Sequence, residues 1–248
     1  LASGATLSFG GGTHAINGVN FSGDADGIFR VTSGTVDVTG PAALPTVQVQ
    51  GGTLNANDAG STLDALTLSG GTFSFGGTDS LAIFTQTGGT LAGTGVLTVT
   101  GAATYGSAKQ RGSGSTIHEG AVTLNSFANI NLDEGRLLEF RGGVTTSTNS
   151  FTFNLDNGSA VGTGSVRNAV GSSFVDQTAS SGNITWNWTP DGLFENLGTY
   201  QKTGVGTTTV RTGFTNFGTV LVENGVFSVQ GALTGAVGDT LTGGTWIV

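Results

Sequence analysis

The 248-residue chain has no cysteine and no methionine, and only three prolines. Without cysteine no disulfide contributes to stability, and the redox compartment cannot be read from thiol pairing. Charge is scarce: charged residues make up 10% of the chain, with 8 basic against 16 acidic side chains and a net charge of −8. Arg30 is the only basic residue in the first hundred positions. This balance disfavours nucleic acid, whose phosphates demand a basic surface, and it disfavours anionic membrane surfaces for the same reason. No stretch approaches the roughly 18 consecutive apolar residues of a transmembrane helix. A charged leader followed by an apolar segment is also missing, and the chain opens at Leu1 rather than Met. The expectation is a processed or excised segment of a longer product.

Glycine (45 residues) and threonine (40) are what the chain has in abundance. Glycine-rich chains are disordered when apolar residues are few and net charge is high. Here 36% of residues are hydrophobic and 15 are Phe, enough to bury a core. Gly, Thr, Val, Asn and Ser are weak helix formers, whereas Thr, Val, Ile and Phe suit a pleated, half-buried surface. Almost no α-helix is expected.

One phrase recurs with a near-constant stride. Ser33-Gly34-Thr35-Val36, Gly51-Gly52-Thr53-Leu54, Gly70-Gly71-Thr72-Phe73 and Gly88-Gly89-Thr90-Leu91 place Gly34, Gly52, Gly71 and Gly89 at intervals of 18, 19 and 18. A short repeating unit is the mark of stacked-repeat architectures. Strand-forming residues and glycine punctuation make each unit one coil of an all-β, parallel β-solenoid (β-helix), with roughly 18–20 residues per coil. About 13 such coils, about 4.8 Å apart, give a rod on the order of 60 Å long. The four glycines should occupy equivalent corners, and Val36, Leu54, Phe73 and Leu91 should stack as a buried ladder.

Alternation supplies the strands, as in Val47-Gln48-Val49-Gln50, Leu66-Thr67-Leu68, Phe151-Thr152-Phe153 and Val226-Phe227-Ser228-Val229. Asn17-Gly18, Asp26-Gly27, Asn157-Gly158, Asp191-Gly192 and Asn224-Gly225 offer the positive φ that corners need. The same pairs could close hairpins of an antiparallel sandwich, but hairpins need no common unit length. Two further echoes exist. Gly4 to Gly11 returns as Gly70 to Gly77, and Phe194-Glu195-Asn196-Leu197-Gly198-Thr199 returns as Phe214-Thr215-Asn216-Phe217-Gly218-Thr219. On this pattern the chain divides into regular coils (1–104), irregular coils of the same solenoid (105–190) and coils with the Phe-x-Asn-x-Gly-Thr phrase (191–248).

Residues 4–14, 88–101 and 214–220 together resemble the Gly/Thr-rich β-strand repeats of large bacterial surface and secreted proteins, in the style of autotransporter passengers and filamentous-haemagglutinin-like adhesins. The resemblance covers most of the chain and implies a parallel β-solenoid at the bacterial cell surface or outside the cell, cut from a longer array. It implies no catalytic residues. A non-enzymatic adhesin stalk or extracellular fibre is the expected function, and a carbohydrate-binding or carbohydrate-active β-helix is the alternative. Surface glycans or ligands on a host or neighbouring cell are possible partners. Both ends of the chain read as uncapped repeat, so copies could also stack end to end into a fibre.

Candidate chemistry is thin, and no catalytic, cofactor-binding or metal-binding residue is assigned. His14 and His118 are the only histidines, without the three or four ligands of a zinc site, and are read as surface or turn residues. Asp24-Ala25-Asp26-Gly27 opens like a calcium loop but lacks its later glutamate. Paired carboxylates for acid/base work must converge within about 5 to 10 Å. In a solenoid that places them one coil apart, as Asp37 with Asp58, Asp58 with Asp79, or Glu119 with Glu139. Trp186 and Trp188 could form a sugar-stacking platform or belong to the core. The pairs Thr85/Thr87, Thr98/Thr100 and Thr207/Thr209 would suit an ice-binding face only if repeated in register on every coil.

Overall fold

In the computed structural model, residues 4–17, 27–40, 42–57, 62–156, 162–187, 191–237 and 240–248 are described. They form a parallel β-solenoid of about 10 turns with no helix. Where all its sides lie in the described residues, a turn presents three walls. The first two belong to one 19-stranded sheet, because long strands such as Thr6–Asn17, Ile28–Thr39, Ala103–Gln110 and Val122–Leu132 run round the corner between them. The third wall is a separate sheet of eight strands, from Thr78–Leu81 to Leu233–Thr234. Antiparallel pairing among the described residues is confined to Ala236–Val237 with Thr240–Leu241 and an isolated bridge between Asp133 and Thr163.

The repeated Gly-Thr phrase sets the second wall. Val36 pairs with Leu54, Leu54 with Phe73 and Phe73 with Leu91, and all four side chains are fully buried. The expected ladder is therefore present in its expected order. The preceding glycines occupy matching corners with φ of 77°, 67°, 63° and 66° at Gly34, Gly52, Gly71 and Gly89. A β-carbon at Gly52 would lie 2.4 Å from the carbonyl oxygen of Gly34, and one at Gly71 would lie 2.5 Å from that of Gly52. Left-handed backbone and direct stacking of corner on corner both require glycine here.

The early coils keep the short stride: Thr53 sits on Thr35, Thr72 on Thr53 and Thr90 on Thr72. Later coils are longer. Ser165 stacks on Leu137, 28 residues away, Gly182 on Phe151, 31 away, and Thr207 on Ser181, 26 away. The stride falls back to 20 where Thr219 meets Thr199. This corrects the expectation of about 13 coils. A uniform stride ignores the residues added between wall strands, notably between Phe151–Asn154 and Ser165–Asn168.

The interior changes with coil length. Short coils are filled mainly by Val, Leu and Ala, such as Val47, Val49, Leu66 and Leu68, with scattered rings at Phe29, Phe73, Phe75 and Phe84. In the longer coils aromatic rings fill the interior: Phe153 and Phe194 both lie against Phe174, at 6.1 and 5.9 Å between centroids, and Tyr200 stacks on Phe174 at 5.1 Å. The echo of Gly4 to Gly11 in Gly70 to Gly77 joins different walls. Leu7 and Phe9 stack under Phe29 and Val31 on the first wall, while Phe73 and Phe75 belong to the second. Every wall obeys the same in-out alternation, so similar phrases serve at inequivalent places.

Two substitutions test this register. Phe73→Ala should cost about 3 to 5 kcal/mol, read as a lowered denaturant midpoint; an unchanged midpoint would contradict a packed ladder position. Gly71→Ala, which adds one methyl group at a corner, should also destabilise by at least about 1 kcal/mol because the corner demands positive φ. A neutral result there would contradict the stacked corner.

Candidate functional site

Polar side chains gather in four places, three of them created by stacking neighbouring positions of successive coils. On the outside of the third wall, Glu139, Arg167 and Glu195 follow one another in register. Arg167 donates through Nε to Glu195 at 2.5 Å and through a terminal nitrogen to Glu139 at 3.4 Å. Arg141 donates to Glu139 at 2.6 Å and lies 3.7 Å from Glu119. Acidic and basic groups thus alternate along the axis, and arginine engages Glu119, Glu139 and Glu195 alike.

Inside the same wall, Asn168, Asn196 and Asn216 stack fully buried. The Asn168 amide donates to the Asn196 carbonyl oxygen at 2.7 Å, and Asn196 does the same to Asn216 at 2.8 Å. Each also donates to the backbone of the following first-wall strand, at Thr199 and Thr219. The asparagine of the Phe-x-Asn-x-Gly-Thr phrase is this inner rung.

A third cluster crosses the interior where the coils begin to lengthen. Arg136 donates to Thr116 at 2.8 Å, Thr116 to Gln110 at 2.9 Å, and Gln110 to Tyr105 at 3.0 Å. The Tyr105 hydroxyl lies 2.8 Å from His118 Nε2. With its oxygen already accepting from Gln110, the hydroxyl has its own proton to give to His118. Gln110 also donates to Gln86 at 3.1 Å. Burial holds the His118 imidazole neutral, down at about 3, and pulls the Arg136 guanidinium down to about 10. Burial likewise pushes the Tyr105 phenol up.

The fourth cluster joins Asp176 and Lys202, both fully buried and paired directly across adjacent coils. Tyr200 and Thr208 donate to one carboxylate oxygen, and the Thr178 backbone and hydroxyl donate to the other. The Lys202 ammonium lies 3.7 Å from Asp176 and donates to the carbonyls of Thr178 and Gly204 at 3.0 and 2.6 Å. Burial lowers its pKa against the opposing pull of Asp176.

The residues singled out in the sequence fare differently. His118 is not a surface histidine: it is fully buried, because it holds an inward position of Ser115–His118 and stacks on Phe140 at 5.8 Å. His14 is half-buried and bonds to the Gly11 carbonyl at 2.6 Å. Asp24, Asp26, Asp58 and Trp188 lie outside the described residues. Asp37 accepts from Asn55 at 2.6 Å. Asp79 is half-buried, and burial pushes its carboxyl up to about 6. Glu119 and Glu139 do meet, but through Arg141. Trp186 donates its indole N–H to the Arg211 carbonyl of the next coil at 3.1 Å. The Thr-x-Thr pairs do not stack as pairs. A single column does form on the first wall, with Thr67, Thr85, Thr104, Thr123 and Thr145 in register. Among the described residues no group of three or more His, Cys, Asp or Glu is placed to hold a metal ion.

Comparison of the chain with profiles of known protein families, with curated proteins and with solved structures returned no match.

The His118 cluster generates a pH dependence with a definite sign. The unfolded imidazole takes up a proton below its ordinary value of 6.5, whereas the folded one does so only near 3. Stability from this group is complete above pH 6.5 and falls by about 1.4 kcal/mol per pH unit below it. Asp79 acts oppositely, since its folded carboxyl is protonated from about 6 downward, before the unfolded one near 3.8. The contribution of His118 is therefore read as the difference between wild type and His118→Phe. The wild type should lose melting temperature faster between pH 6.5 and 4; parallel curves would contradict the assignment.

Proposed function

We propose that this chain is a non-enzymatic structural module of a bacterial cell-surface or secreted protein, serving as an adhesin stalk or extracellular fibre. The observation that carries the reading is where the polar chemistry goes. The asparagine ladder, the Glu/Arg stripe and both buried clusters bond one coil to the next along the axis. Groups bonded in this way add cohesion to a rod. Fold alone specifies no activity, so the reading rests on this distribution and on the resemblance of the Gly/Thr-rich repeats to bacterial surface proteins.

End-to-end association of copies belongs to the same reading. Among the described residues, Thr6–Asn17 pairs only with Ile28–Thr39, and Thr245–Ile247 only with Thr219–Val222. Leu7, Phe9, Phe227 and Trp246 beside these edges are only partly covered. Strand edges with apolar neighbours favour pairing with a further strand, whether of a second copy or of adjoining coils of the parent protein.

A carbohydrate-binding β-helix is the second reading, favoured by a shallow groove on the second wall lined by Ala15, Asp37, Asn55 and Asn57. Carboxylate and amide groups of this kind bond sugar hydroxyls.

Two measurements separate the readings. On a broad glycan array the module should bind nothing, and removing whole coils from the parent protein on intact cells should shorten its reach without altering adhesion. Micromolar glycan binding that Asp37→Ala abolishes would favour the second reading. Failure of antibodies to find the module on intact cells and in the culture medium alike would contradict a surface or secreted location.

A further inference from the structure

We propose that Asp176 and Lys202 condense into an amide cross-link, formed without an enzyme, that clasps two successive coils of the solenoid.

The two side chains meet under conditions seldom combined. They are directly opposed in register, both point inward, and both are fully buried. The Lys202 nitrogen lies 3.7 Å from one Asp176 oxygen, Oδ1. The Tyr200 hydroxyl donates to the other oxygen, Oδ2, at 2.6 Å, and the Thr208 hydroxyl donates to it as well. Aromatic rings close the site, with Phe174 stacked on Tyr200 at 5.1 Å and Phe227 at 4.7 Å. The reacting groups are thus held together in a buried enclosure, with two hydroxyls aimed at Oδ2 and the Thr178 backbone N–H and hydroxyl donating to Oδ1.

Three of these features favour condensation over a permanent ion pair. Two opposite charges buried together are costly, and passing a proton from ammonium to carboxylate removes both. Burial also lowers the pKa of Lys202, which makes its free amine more accessible. Fixed proximity replaces a bimolecular encounter. Tyr200 and Thr208 stand where negative charge develops on Oδ2, the role of an oxyanion hole.

The step balances without any co-reactant. The Lys202 ammonium gives a proton to Oδ1, and the resulting amine attacks the Asp176 carboxyl carbon. Charge gathers on Oδ2 and is held by the two hydroxyls. A second proton leaves nitrogen for Oδ1, the carbon–Oδ1 bond breaks, and one water departs. Ammonium plus carboxylate becomes a neutral secondary amide plus water, with no change in oxidation state. In a chain with no cysteine, this would be a covalent tie between coils, closing a loop from residue 176 to 202.

Mass spectrometry of the intact, purified chain under denaturing conditions tests the proposal directly. The expected mass is lower than the sequence mass by one water, and digestion should yield a branched peptide containing both Asp176 and Lys202. Lys202→Arg should restore the full mass. A folded wild-type protein that keeps its full mass after prolonged incubation would overturn the proposal. So would a water loss that persists in Lys202→Arg or a species that hydroxylamine cleaves, because that marks a backbone succinimide at an Asp-Gly pair such as Asp191-Gly192.

Discussion

The structure depends on one constraint: parallel strands stacked in register at a fixed rise of about 4.8 Å. At that spacing every side chain has its equivalent in the neighbouring coil directly above and below. Whatever occupies a position must tolerate a close copy of its own environment. Val36, Leu54, Phe73 and Leu91 satisfy this by dispersion and burial. Gly34, Gly52, Gly71 and Gly89 satisfy it by having no side chain to collide with the corner beneath. Asn168, Asn196 and Asn216 satisfy it because an amide is donor and acceptor at once, so a column of identical groups can bond to itself. Carboxylates and guanidinium groups cannot stack on their own kind, which explains the alternation of Glu139, Arg167 and Glu195.

Coil length and core content are coupled through the same constraint. A coil of 18 or 19 residues encloses an interior of Val, Leu and Ala with scattered rings such as Phe73 and Phe84. In the turns of 26 or more residues aromatic rings meet from coil to coil, as Phe174 does with Phe194 and Tyr200, and Asp176 and Lys202 are buried as well. Burying Arg136, Asp176 and Lys202 is costly unless their bonding capacity is met. Thr116 and the Gly93 carbonyl accept from the two terminal nitrogens of Arg136, leaving its Nε without a partner among the described residues, and four donors surround Asp176. Such clusters bond only in one arrangement, so they favour a single register where the Gly-Thr phrase is missing.

Much of the fold was legible because the early coils repeat their own sequence. The 18-19-18 spacing identified the stride, the glycine corners and the inward ladder, and all three appear in that part of the chain. The number of turns was not legible. It depends on residues inserted between wall strands, and insertions carry no periodic mark. The asparagine column left a partial signal in Phe194-Glu195-Asn196 and Phe214-Thr215-Asn216, but Asn168 sits in a different phrase, Val166-Arg167-Asn168. His118 was misplaced because a lone histidine looks the same in a turn as on an inward strand position. Its partner Tyr105, and the Gln110 that donates to Tyr105, come from other walls. Asp176 and Lys202 were invisible as a pair for a similar reason, since a separation of 26 residues matches no stride of the regular coils.

The account reduces to a ladder in which axial position counts coils rather than residues. On the outer face of the first wall, Thr67, Thr85, Thr104, Thr123, Thr145, Val175 and Gln201 form one unbroken column. Because the chain has no cysteine, spin labels can be attached at chosen pairs of introduced cysteines. The most direct measurement is the distance between labels at Thr67 and Gln201, compared with that between Thr67 and Thr145. Six rungs and four rungs predict about 29 Å and about 19 Å, a step of about 4.8 Å per coil. Distances that scale with residue number instead, or a Thr67–Gln201 separation far from six rungs, would contradict the stacked register.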